Sequence, residues 1–192
     1  MLQWRQSFGT DDALSWKFPL IHRIKELYPH GYHKFSKCGI PVYIARVGIL
    51  NTAELMSISN VPELIRLHVQ SREYARSVLF PRASQRSNQL IDQQITILDM
   101  NGMSLSQCSR LVYQYIQETS VIDQNYYPEI LARMLIINAP MLFSVIWKVV
   151  KPWIEERVQK KIFITNFLGG TDTSFLTTEE ELEIRNLATV LC

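Results

Sequence analysis

Only a few groups of residues in this 192-residue chain combine side-chain type and spacing in a way that chemistry can use. His30, His33 and Cys38 are spaced as zinc ligands can be, but no fourth ligand completes a tetrahedral site. A polar loop ahead of the first strand accounts for them instead. Lys148, Lys151, Arg157, Lys160 and Lys161 set positive charge against only Glu155 and Glu156. Near an anionic leaflet each such residue is worth about 1 kcal/mol, and a solvated helix-and-loop face explains the run equally well. No Gly-x-Ser-x-Gly elbow presents a nucleophile, and no Gly-x-x-x-x-Gly-Lys loop cradles a nucleotide. Gly169-Gly170-Thr171-Asp172 reads as a turn. The expectation is a protein that is not an enzyme, with no metal and no cofactor.

Composition narrows the partners. An apolar fraction of 47% and a charged fraction of 20% are those of an ordinary globular domain. Twenty basic residues against eighteen acidic leave +2, too balanced for nucleic acid. The most apolar stretch, Met134 to Val150, is broken by Asn138, Pro140 and Lys148 and is shorter than the ~20 residues a membrane span requires. The first residues lack the apolar core of a signal peptide. Three widely spaced cysteines argue against a disulfide framework. A cytoplasmic protein touching membranes peripherally is expected.

Short apolar runs alternate with longer amphipathic ones, the pattern of an α/β domain. Strands are predicted over Pro41–Val47, Gln94–Asp99, Met134–Asn138 and Lys161–Thr165. Asn60, with Pro62 and Glu63 behind it, starts a helix that runs to about Leu79 and carries Leu64, Ile65, His68 and Val69 on one face. Ser104 is expected to cap a second helix, through Cys108, Leu111, Val112, Tyr115 and Ile116. A third covers Met141 to about Val150, and a terminal helix runs from Thr177 or Thr178 to about Leu191.

Several motifs then occur in one order. Tyr28-Pro29-His30-Gly31-Tyr32-His33 precedes Gly39-Ile40-Pro41-Val42-Tyr43, and Ile97-Leu98-Asp99-Met100-Asn101-Gly102 follows. Gln124-Asn125-Tyr126-Tyr127-Pro128-Glu129 continues through Ile136-Ile137-Asn138-Ala139-Pro140 and Phe143 to Lys151-Pro152, then Lys161-Ile162-Phe163-Ile164. Together they resemble the CRAL-TRIO lipid-binding domain of phosphatidylinositol/phosphatidylcholine transfer proteins. The resemblance implies a mixed β-sheet flanked by helices and enclosing an apolar pocket for one phospholipid. At about 0.8 kcal/mol per buried methylene, two acyl chains supply ample affinity without chemistry. It implies that Glu129 and Lys161 meet the headgroup, the lysine neutralising phosphate and the carboxylate accepting from inositol hydroxyls. Without it, a surface carboxylate and a strand-end lysine suffice. Tyr43 and Thr96 match positions that contact phosphocholine, and Phe143 and Phe163 are expected to line the pocket. Three positions depart from the family's pattern: Ile130 stands for an arginine, Val158 for a threonine and Gln94 for a serine.

The same resemblance divides the chain into 1–27, the remnant of an N-terminal helical subdomain, 28–176, the lipid-binding domain, and 177–192, a C-terminal helix. Trp4 and Phe8 then expose apolar surface that a missing partner covers elsewhere. The family's gate helix is expected to be missing near 165–167, leaving the terminal helix, a protein partner or a second protomer to cover the pocket. The implied function is to bind one phospholipid and move or present it between membranes, at the Golgi or another endomembrane. A transfer-deficient interaction or regulatory module is the alternative.

Overall fold

The strands of this protein lie side by side in the order in which the chain makes them. A computed structural model describes residues 2–164. Strands β1 (His30–Phe35), β2 (Pro41–Arg46), β3 (Gln94–Asp99), β4 (Leu131–Ile137) and β5 (Ile162–Ile164) form one mixed sheet in that order. β1 runs antiparallel to β2, and all later pairs are parallel. Register places Tyr32, Tyr43, Thr96, Met134 and Ile162 in one row across the sheet. The next row, Ile44, Ile97, Leu135 and Phe163, faces the other way, because side chains alternate along a strand.

Parallel neighbours need crossovers, and crossovers are right-handed almost without exception. Because β2 to β5 advance in a single direction, that handedness brings the crossover helices to one face. Between β2 and β3 lie α3 (Thr52–Ile58), α4 (Val61–Tyr74) and α5 (Phe80–Ser87). α6 (Arg110–Tyr126) joins β3 to β4, and α7 (Phe143–Val150) with the short α8 (Glu156–Gln159) joins β4 to β5. Ahead of the sheet come α1 (Leu2–Phe8) and α2 (Ile21–Leu27).

Four expectations change. His30 and His33 lie in β1, not in a loop; among the described residues this strand pairs along one side only, and its polar side chains hide its alternation. The Asn60 cap holds, its side chain accepting from the Glu63 amide at 2.9 Å. The helix does not stop near Leu79 but passes through a π-helical stretch, Ala75–Leu79, into α5. α6 is capped by Ser109, which accepts from the Val112 amide at 3.3 Å. Ser104 and Gln107 do form a capping-box bond, Ser104 N to Gln107 Oε1 at 2.8 Å, but around one 3-10 turn. Trp4 and Phe8 are packed: the Trp4 ring stacks on Tyr126 at 3.8 Å, within a cluster with Val61, Ile65, Val69 and Ile122. The junction near 165–167 and the terminal helix lie outside the described residues.

Candidate functional site

Between the sheet and α4, α6 and α7 lies an apolar cavity of about 270 Å3. Leu98, Met134 and Ile136 floor it, and Ile116, Phe143 and Ile146 wall it. Tyr43 and Thr96 face into it from adjacent strands, as the shared row requires. Phe143, expected on the pocket wall, is there and is buried. Phe163 is not. One residue past Ile162, it belongs to the opposite row, packing with Val42, Ile44, Ile97 and Leu135 beneath the Arg133 guanidinium.

Glu129 and Lys161, 32 residues apart, are brought together at the edge of this space. The Lys161 Nζ donates to Glu129 Oε2 at 2.7 Å and to the Leu131 carbonyl at 2.8 Å. The Arg157 Nη1 reaches Glu129 Oε1 at 3.1 Å, while its Nε pairs with Glu155. The Lys161 hydrogen bond and charge hold the Glu129 carboxyl below its ordinary range. Backbone geometry places both side chains. Glu129 sits in the turn from α6 to β4 at φ 62°, a left-handed conformation costing a residue with a Cβ roughly 1–2 kcal/mol. Lys161 immediately precedes β5, and its carbonyl accepts from the Met134 amide at 2.8 Å. A narrow cleft of about 120 Å3 leads inward from this pair past Val158 and Thr96 to Arg72 and Asp123.

Inside lies a cluster that sequence reading did not assemble. Asp123 on α6 accepts from Arg72 Nε at 3.0 Å and Nη2 at 2.8 Å, and its Oδ1 lies 2.8 Å from His68 Nε2. Burial alone would raise the Asp123 carboxyl; the charges and hydrogen bonds of Arg72 and His68 outweigh it and hold it well below the usual range. Tyr32 donates to Gln94 Oε1 at 2.6 Å, and Gln94 donates to Thr96 at 2.9 Å. Tyr28, Tyr43 and Tyr115 border the same space, and burial raises all three hydroxyls. Two signals were available: His68 and Arg72 are four apart on one face of α4, and Tyr115, Thr119 and Asp123 repeat at that interval on α6.

The fold agrees with comparisons to known proteins. The chain is 36% identical over 165 residues to the phosphatidylinositol/phosphatidylcholine transfer protein SFH4 of Arabidopsis thaliana, covering 85% of this chain and 27% of that one. It is 36% identical to the SEC14 cytosolic factor of Yarrowia lipolytica, covering 84% and 33%. To the Sec14 cytosolic factor of Schizosaccharomyces pombe it is 32% identical, covering 96% and 63%. The chain thus spans between about a quarter and under two thirds of these relatives. The crystal structure of Sfh5 shares the fold with a TM-score of 0.68 at 19% identity, over 84% of this chain and 54% of that one. The model of the CRAL/TRIO domain matches residues 25–175. With most of its length matched, the chain belongs to the CRAL/TRIO domain family.

Proposed function

We propose that this chain binds one phospholipid, of the phosphatidylinositol or phosphatidylcholine type, and transfers or presents it between membranes. The observation that carries this reading is the Lys161–Glu129 contact at 2.7 Å, set at the mouth of a cleft that leads to an apolar cavity. The tails occupy the space floored by Leu98, Met134 and Ile136. Lys161 meets a phosphate, Glu129 accepts from hydroxyls, and no catalytic step is involved. The relatives named as phosphatidylinositol/phosphatidylcholine transfer proteins support the same cargo.

The cavity, at about 270 Å3, lies just under the roughly 300–1,000 Å3 of drug-sized sites, so two tails require its walls to move apart. α7 is suited to be the moving wall. Phe143, Ile146 and Val150 face inward, while Met141 and Val145 are exposed beside Lys148. That outer face supports peripheral contact with an anionic endomembrane. Among the described residues, no helix is long and apolar enough to cross a membrane.

Mass spectrometry of organic extracts from the purified protein, with Lys161→Ala beside it, tests the reading. Stoichiometric phospholipid in the wild type and loss of inositol species in the variant are expected. A folded, empty wild type defeats transfer and leaves the interaction module as the better account.

A further inference from the structure

The Arg72–Asp123 pair joins α4 to α6 at the cavity, and a part-buried ion pair is seldom the strongest way to join two helices. Apolar side chains of similar volume usually serve stability as well or better. What surrounds the pair suggests what it is for. Tyr28, Tyr43 and Tyr115 line the same cavity as Arg72, and the Tyr32 ring stands 5.1 Å from that of Tyr43. A ring of tyrosines by itself suits a quaternary ammonium group. Asp123 offsets part of the guanidinium's charge, but its oxygens are turned to Arg72 and His68, so the free N–H edge of Arg72 among the rings disfavours a second cation.

The donors and acceptors agree. Asp123 takes up two of the five N–H bonds of Arg72, and both of its own oxygens are occupied by Arg72 and His68. Among the described residues, no protein group hydrogen-bonds the hydroxyls of Tyr28, Tyr43 or Tyr115. A third of the Asp123 side-chain surface is accessible, and Asp123 lines both the cavity and the cleft, so ligand can reach the pair. The groups left over here are mostly donors. They match the acceptor-rich oxygens of a phosphate ester.

We propose that Arg72, oriented by Asp123, makes the inner end of the cavity a subsite for the phosphate of a headgroup that carries no cation. It thereby selects anionic phospholipids over choline lipids. This rests on the reading that a phospholipid occupies the cavity, and it assigns the charge preference to a position distinct from Lys161 and Glu129.

The test is uptake from vesicles containing equal parts of phosphatidic acid, phosphatidylinositol and phosphatidylcholine, read by mass spectrometry of the re-isolated protein. Wild type is expected to favour the anionic lipids over the choline lipid by about fivefold or more. Arg72→Lys keeps that bias. Arg72→Met combined with Asp123→Leu removes both charges together, keeps total lipid per protein, and brings phosphatidic acid within about twofold of phosphatidylcholine, while Lys161 and Glu129 still hold the inositol lipid. Lys161→Ala loses the inositol species yet still prefers phosphatidic acid to the choline lipid. In a second arm, inorganic phosphate without lipid is added to each variant. A rise in melting temperature confined to Arg72-containing proteins extends the subsite to free phosphate, and no rise with the lipid bias intact restricts it to the lipid. An unbiased wild type, or a double variant with the wild-type ratio, overturns this proposal alone. An empty wild type takes the cargo reading down with it.

Discussion

At the scale of single residues, the site is held by geometry that a stable fold has no need of. Glu129 adopts φ 62° although it is not a glycine, and its carboxylate closes on Lys161. Glycine at 129 relieves the left-handed strain and loses an exposed ion pair of little weight in the fold, while adding freedom to the unfolded chain. The opposing contributions largely cancel, so Glu129→Gly is expected to leave the chemical-denaturation midpoint little changed. Inositol-lipid occupancy is nevertheless expected to collapse. A large loss of stability with lipid retained would show that Glu129 is structural. Glu129 and Lys161 were legible only as matches to a family pattern, and their contact depends on where β4 and β5 pair. Arg72 and Asp123 were not legible together, because two polar residues on different helices give no sign of facing one another until both helices are packed.

Elements reveal where sequence is a good guide and where it is not. β3 carries β-branched residues and lies centrally, and its predicted span is the one observed. β1 escaped notice because an edge strand with polar side chains resembles a loop. The two serines ahead of α6 have comparable capping chemistry, and only the path of the chain decides between Ser109 and Ser104. Glycine at 48 states its purpose clearly in the structure. A Cβ there would lie 2.1 Å from the Asn101 carbonyl oxygen and 2.4 Å from the Met100 carbonyl carbon, both backbone atoms. These hold the exit of β2 against the exit of β3, so neither can yield cheaply. Gly48→Ala is expected to destabilise the protein by about 1–3 kcal/mol, the cost of overpacking, measured as a fall in thermal midpoint. A variant as stable as wild type would mean that the two exits move apart freely.

For the molecule as a whole, the cavity follows from how the described crossover helices meet the sheet. Helices gathered over one face of the sheet leave a seam between layers, and apolar rows from β3, β4, α6 and α7 line it. A ligand that enters the seam binds only the folded state, and its removal withdraws that support. At a free ligand concentration about a hundred times Kd, the support is about 2.7 kcal/mol. Extracting lipid is therefore expected to lower the melting temperature measurably, and adding it back to restore the loss. An unchanged melting curve on delipidation would mean that nothing of consequence fills the seam. The strand order has a further consequence, in time rather than in space. Because each strand docks beside its predecessor, assembly can follow synthesis from one edge to the other. Lys161 is then laid down with the last of the described strands, a mere three residues long. Assembly in that order would bring Arg72 and the tyrosines into place before Lys161 completes the outer contact.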